Sequence, residues 1–232
     1  MKYSGLVFCL LFLITSNTVF SQKIEGAWEF KSAGKDIILL YKDGYFTRTE
    51  FTPTEFLHSW GGIATSNSGK IKISIEFNSA ISENVGKEVS YNFLIDNDEL
   101  EMNEDDLSIK YKRIDDGNAP LAGVWKINGR EQDGKMVAIH QSGARKTLKI
   151  LTGGRFQWFA INPETKQFSG TGGGTYSFSN GKYTENIQFF SRDNNRVGAQ
   201  LAFDGEIKNS EWYHSGLSSK GDKIYEVWSR KK

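Results

Sequence analysis

The chain repeats itself, and that constrains its folding more than any other feature. Ile24-Glu25-Gly26-Ala27-Trp28 opens a first half, and Leu121-Ala122-Gly123-Val124-Trp125 opens a second. Tyr41-Lys42-Asp43-Gly44-Tyr45-Phe46 is echoed by Leu151-Thr152-Gly153-Gly154-Arg155-Phe156. The stretch "GGIATSNSGKIKISIEFNS" from Gly61 then lines up without a gap on "GGTYSFSNGKYTENIQFFS" from Gly173. The register continues through Val85-Gly86 on Val197-Gly198 and closes on an aromatic-x-Arg, Tyr111-Lys112-Arg113 and Trp228-Ser229-Arg230. A match kept in order from opening to closing signature marks an internal duplication. Asp115-Asp116-Gly117-Asn118-Ala119-Pro120 is polar, bears glycine and proline, and lies near the middle. The organisation expected is therefore a first repeat over 22–116, a linker over 117–120 and a second repeat over 121–232.

Each repeat reads as a meander of short strands. In the second, alternating segments fall at Val124–Asn128, Lys146–Leu151, Arg155–Ile161, Thr175–Ser179, Tyr183–Phe190, Val197–Phe203, Glu211–His214 and Lys223–Arg230. Turns are expected at Gly153-Gly154, Asn180-Gly181, Asp204-Gly205 and Lys220-Gly221-Asp222. Asn-Gly between alternating segments is a strong hairpin signal, because both central turn positions need positive φ. About eight antiparallel strands joined by hairpins suit an up-and-down barrel, which closes on itself and leaves no exposed edge. The fold class is all-β, with two tandem barrels; a larger sandwich shared by both repeats is the alternative, since each repeat is small for an independent core.

Gly26-x-Trp28 and Gly123-x-Trp125 on the opening strands, with Arg113 and Arg230 near an aromatic residue on the last ones, resemble the lipocalin-like (calycin) barrels. More narrowly, the chain is similar to uncharacterised secreted lipocalin-like proteins of Bacteroidetes-type bacteria. The resemblance implies that each tryptophan plugs the closed end of a barrel and that each arginine lies across its ring. The repeats are shorter than typical lipocalins, and the lipocalin disulfide cannot form here.

The N-terminus reads as a secretory signal peptide over 1–21: Lys2, the apolar run Gly5–Ile14, and Val19-Phe20-Ser21 before Gln22-Lys23. Cys9 sits inside the apolar run after the bulky Phe8, which is poor context for lipidation. Cleavage near Ser21 leaves no cysteine, hence neither disulfides nor thiolate chemistry. No later segment is apolar enough for a transmembrane anchor, so the protein is expected in the periplasm or outside the cell. Removing Lys2 takes the formal charge from +1 to about zero, which argues against nucleic acid as a partner.

Candidate site residues come from comparing the repeats. Ile71, Ile73, Ile75 and Phe77 form one apolar strand face; the second repeat has Tyr183, Glu185, Ile187 and Phe189. Glu185 thus replaces an isoleucine at an inward position, where a carboxylate needs a partner, a raised pKa or water. Pairing with an interior Arg or Tyr is the structural alternative. Trp158 aligns with Arg48 and Trp212 with Leu100, so the second repeat is richer in large aromatics near its expected open end. Trp158, Tyr176, Tyr183 and Trp212 are expected to wall a pocket for a small apolar or aromatic molecule, with Glu185 and His214 orienting it; packing as ordinary core filler is the competing reading. The first repeat, with its aliphatic face, is expected to be solid.

His58, His140 and His214 are the only histidines and have no metal-ligand spacing, so neither a metal nor a cofactor is expected. His140 falls in the extra segment "NGREQDGKMVAIHQSGAR", placed to cap the barrel mouth. Glu101–Asp106 reads as a solvated polar turn. Gly172–Gly174 is followed by alternating strand rather than helix, so it is not a phosphate loop; with Gly61-Gly62 it reads as a bulge carried by both repeats. The function expected is an exported, non-catalytic binding protein. Two alternatives stand beside it: a lipocalin-fold isomerase or hydrolase using Glu185 as its proton-transfer group, and an envelope module with filled barrels that binds a protein partner.

Overall fold

The structure, a computed structural model, describes residues 23–231 apart from 105, 106, 140, 141 and 219. The segment read as a signal peptide, Cys9 and His140 lie outside the described residues. The first repeat is a closed barrel of β1 (Gly26–Ser32), β2 (Lys35–Lys42), β3 (Tyr45–Phe51), β4 (Phe56–Asn67), β5 (Lys70–Asn78), β6 (Glu88–Asp96), β7 (Glu99–Glu104) and β8 (Leu107–Asp115). The second runs through β9 (Gly123–Gln132), β10 (Lys135–Ala138), β11 (Lys146–Leu151), β12 (Arg155–Asn162), β13 (Gln167–Ser179), β14 (Lys182–Phe190), β15 (Gln200–Lys208), β16 (Glu211–Leu217) and β17 (Lys223–Arg230). Successive strands pair antiparallel in both, and β1–β8 and β9–β17 close the rings. Strand β10 is an added hairpin arm on β9 and takes no part in closure. Two closed eight-stranded barrels, not one shared sandwich, are the result.

The closed ends are built alike. Trp28 and Trp125 are fully buried, and their indole N–H groups donate to the carbonyls of Ile24 and Leu121 at 2.8 and 2.9 Å. The Arg113 guanidinium lies 3.9 Å from the Trp28 ring centroid, and that of Arg230 4.4 Å from Trp125. Each arginine also donates to a carbonyl of the opening segment, Glu25 or Ala122.

The paired glycines act through backbone geometry. The β4–β5 register shifts between Gly61 and Gly62, and the β13–β14 register shifts between Gly173 and Gly174. A Cβ at Gly62 would stand 1.9 Å from the Ser74 carbonyl oxygen, and one at Gly174 would stand 2.0 Å from that of Asn186. A bulge inserts one residue and flips the alternation beyond it. Phe77 and Phe189, read from sequence as continuing the inward face, therefore emerge outside and pack between the barrels. Asp204-Gly205, expected as a turn, lies within β15; the turn is at Asn209-Ser210, where both residues adopt positive φ. Glu101–Glu104, expected in a polar turn, belongs to β7.

The interface between barrels uses the same face of each repeat. Ala27, Ile38, Leu40 and Phe77 meet Val124, Leu148, Ile150 and Phe189, which occupy the corresponding repeat positions. Phe77 stacks on Phe159 at 4.8 Å, and Phe51 lies 5.1 Å from Phe189. Gln157 bridges within this layer: its amide donates to Ser59 and Thr171, and its carbonyl accepts from Thr49. At one edge Asp115 accepts from the backbone of Gly117, Gly153 and Gly154 and from the Thr152 hydroxyl, fastening the end of β8 to the β11–β12 turn.

Candidate ligand cavity of the second barrel

The two interiors part company in a few side chains. In the first barrel Trp60 pairs across β3–β4 with Arg48, and its ring packs 5.4 Å from Phe46 and 6.4 Å from Tyr91. At the mouth, Glu104 binds Arg48 and the Tyr111 hydroxyl. Those groups, with Leu39, Ile71, Ile73 and Met102, fill the interior with the chain's own atoms. In the second barrel the position of Trp60 is Gly172, paired with Trp158. The indole has changed strands rather than gone: a Cβ at Gly172 would stand 2.7 Å from the Trp158 indole nitrogen and 2.9 Å from the Phe190 ring, so those two rings cover the glycine. A cavity of about 700 Å³ opens in this barrel, lined by residues that include Ile127, Trp158, Ala160, Ile187, Leu201 and Phe203.

Four further exchanges give the cavity a polar floor. Leu39 faces Trp28 across β1–β2 as Lys149 faces Trp125 across β9–β11. Ile73 faces Val89 as Glu185 faces Leu201. Met102 faces Ile109 as His214 faces Glu226. Lys149, Glu185, His214 and Glu226 are all buried, and all line the cavity. Buried charges survive only when paired and hydrogen-bonded, and these are: Lys149 Nζ lies 2.8 Å from Glu185 Oε1, which also accepts from the Tyr183 hydroxyl at 2.8 Å. The ammonium sits within 5.1–5.7 Å of the rings of Trp212, Trp228, Tyr183 and Phe156, a cation–π cage. Burial, then the neighbouring Glu185 charge, push the Tyr183 phenol well above its ordinary value, so it stays a donor.

Glu226 accepts from Arg130 Nε at 3.0 Å and from the Trp228 indole at 3.1 Å. Burial works to raise its pKa; His214 beside it, once protonated on acidification, and the Arg130 and Lys149 charges overcome that and hold it at about 2. His214 Nδ1 stands 3.6 Å from Glu226 Oε2, too far for a hydrogen bond, and neither ring nitrogen has a hydrogen-bond partner among the described residues. Burial lowers the imidazole pKa below 6.5, so the ring is neutral at neutral pH.

Of the residues read from sequence as ligand-binding, Trp158, Glu185 and His214 line the cavity. Tyr176, Tyr183 and Trp212 do not. Trp212 was expected near the open end but packs 5.8 Å from the Trp125 plug, at the closed end. Tyr176 donates to the Thr152 carbonyl. Tyr183 lies beneath the charged layer, 4.9 Å from Trp212. The pairing of Glu185 with an interior Arg or Tyr, weighed from sequence as the structural alternative, is met by Tyr183, while the cation that pairs with it is Lys149 rather than an arginine.

Lys149, Glu226 and Arg130 were missed by the sequence reading. The signal for the first two was the same repeat comparison that exposed Glu185: Leu39 becomes Lys149 and Ile109 becomes Glu226. The extra segment reaches the mouth through β10, whose Val137 and Ala138, with the adjoining Ile139, line the cavity. His58 is in the other barrel, bound to Asn78 at 3.0 Å. Among the described residues no group of three His, Cys, Asp or Glu is arranged to hold a metal ion, and no helix is long and apolar enough to cross a membrane.

No curated protein matches the chain. Residues 120–232 match the family model of a domain of unknown function, DUF4488. The matched stretch begins at Pro120 and takes in every strand of the second barrel, the one with the cavity.

Proposed function

We propose that the chain is an exported, non-catalytic binding protein of lipocalin-like type, akin to the secreted lipocalin-like proteins of Bacteroidetes-type bacteria. The second barrel would hold one small apolar or aromatic molecule, and the first would be its structural partner. The observation that carries this reading is the cavity of about 700 Å³ inside the second barrel, where the interior of the first is filled by Trp60, Arg48, Glu104 and Tyr111. The cavity's size falls in the range of small-molecule sites, and its apolar wall meets a floor on which Lys149, Glu185, His214 and Glu226 converge.

Catalysis by Glu185 has less support, because that carboxylate already accepts from Lys149 and Tyr183. A filled-barrel interaction module has less support as well, since the second interior is hollow. Solvent extraction of the purified protein followed by mass spectrometry, with Trp158 fluorescence read against a ligand library, tests binding. A retained molecule or a saturable fluorescence change is expected; neither appearing would refute the reading. N-terminal sequencing of the protein from periplasm and medium tests export, with a start at Gln22 expected.

A further inference from the structure

The cavity floor holds one side chain whose hydrogen-bonding capacity is unspent. Lys149 and Glu185 are bound to each other, Tyr183 donates to Glu185, and Glu226 accepts from Arg130 and Trp228. His214 lines the cavity with them, yet both its ring nitrogens are buried and have no partner among the described residues. No other cavity-lining residue has a buried side-chain nitrogen or oxygen in that condition among the described residues. A buried polar group left unpaired costs free energy until something satisfies it.

The imidazole is also held in place, with the rings of Phe203, Trp212 and Tyr183 centred 4.1, 5.2 and 5.5 Å from its own. Its two nitrogens are not equivalent. Nδ1 faces Glu226 Oε2 at 3.6 Å. A lone pair turned toward a carboxylate is repelled and an N–H is attracted, so the proton of the neutral ring sits on Nδ1. Nε2 then carries the lone pair and can only accept. The other charged groups that act on the ring are Lys149 on β11 and Glu185 on β14, and the Lys149 ammonium opposes a second proton. The first barrel has Met102 at this position, so the device belongs to the hollow barrel alone.

Resting on the binding reading above, we infer that His214 is the specificity-determining residue of the cavity: its Nε2 accepts a hydrogen bond from a neutral O–H or N–H group of the bound molecule, and molecules whose polar atoms only accept bind more weakly. A molecule without the donor leaves Nε2 unpaired. A proton and a donor ligand also compete for the same lone pair, so binding of the donor holds the ring neutral.

Titration calorimetry of the full mature chain with three probes of similar shape tests this: 2-naphthol, which donates, 2-methoxynaphthalene, which only accepts, and 2-methylnaphthalene, which does neither. His214→Met, the residue of the first barrel, is expected to weaken 2-naphthol about five- to tenfold and to leave the other two unchanged. His214→Gln, which keeps an acceptor, is expected to hold an intermediate affinity for 2-naphthol. In the parent, 2-naphthol is expected to weaken as pH falls from about 8 to about 5, while 2-methylnaphthalene stays level. Nitrogen-15 spectra of the imidazole read the tautomer without any probe, with the proton expected on Nδ1. A proton on Nε2, a His214→Met variant that shifts all three probes equally, or a retained molecule that bears no O–H or N–H overturns the inference while the binding reading stands. Failure of all three probes, alongside a negative extraction, overturns the binding reading and the inference with it. Circular dichroism of each variant separates lost folding from lost recognition.

Discussion

The first barrel supplies an apolar solution to the positions that the second fills with an ion pair, and this makes a sharp stability prediction. Lys149 and Glu185 have side chains only 5 % and 6 % exposed, so replacing one of them strands the other in a low-dielectric interior. Lys149→Leu leaves the Glu185 carboxylate with Tyr183 alone and is expected to cost about 3–5 kcal/mol. Glu185→Ile strands the ammonium and the Tyr183 hydroxyl; the aromatic cage offsets about 2 kcal/mol of that, for a net loss of about 2–4 kcal/mol. The double variant installs the residues of the first barrel, Leu39 and Ile73, with similar volume and no charge. It is expected within about 1 kcal/mol of the parent, since well-packed apolar replacements of buried pairs are often neutral or better. Adding Tyr183→Phe should recover what the orphaned hydroxyl costs, about 1 kcal/mol. Urea unfolding followed by circular dichroism reads this as midpoints at constant m. If the double variant loses the sum of the two singles, the pair is not coupled, and the account of the cavity floor is wrong.

Four further outcomes follow from the geometry. His214 has its pKa lowered by burial, so the folded state resists a proton that the unfolded chain accepts; this contribution is present above pH 6.5 and is lost as pH falls below it, and His214→Met, the residue of the first barrel, should flatten that step in thermal melts across pH 5–8. Glu226, held at about 2 against a usual 4.5, adds stability above pH 4.5 that is lost on acidification toward 2, on the order of 3 kcal/mol, and Glu226→Gln should remove that acid slope. Asp115→Ala removes the acceptor for four donors at the junction of the barrels; a loss of about 3–5 kcal/mol is expected, with single-step urea unfolding broadening into two steps if the clamp couples the barrels. Finally, Gly172→Trp combined with Trp158→Arg transplants the first barrel's filling pair and should abolish ligand-induced calorimetric heat while the far-ultraviolet spectrum is kept.

Much of the fold was legible because period-two alternation and turn chemistry are local. Asn180-Gly181 and the alternating residues around it announced a hairpin, and both residues indeed adopt positive φ. What failed did so for a local reason with a distant cause. The bulge at Gly173-Gly174 was foreseen, but its reversal of side-chain parity at Phe189 was not carried through. Asp204-Gly205 looked like a turn, yet the pairing of β15 with β16 carries the strand through it to Lys208. Glu185 was found because one strand could be laid on its counterpart. Lys149 and Glu226 were available to the same comparison on other strands, but nothing in the sequence says that three strands so far apart bring those charges together. Tyr176, Tyr183 and Trp212 were placed on the cavity wall because an aromatic residue's sequence does not tell the end of the barrel at which its ring will lie.

The sequence by itself determined that the chain is a duplication and that each copy is an antiparallel meander; the plugs, Trp28 with Arg113 and Trp125 with Arg230, were what the resemblance to lipocalin-like barrels implied. Those properties follow from alternation, turn residues and short signatures, each set within a few neighbours. Only the tertiary structure decided which barrel is hollow, that the two barrels bury the same face against each other, and that Lys149, Glu185, His214 and Glu226 share one cavity floor. Closure decides these, because it fixes which side chains share a layer: Lys149 on β11 and Glu185 on β14 become an ion pair only inside a finished ring.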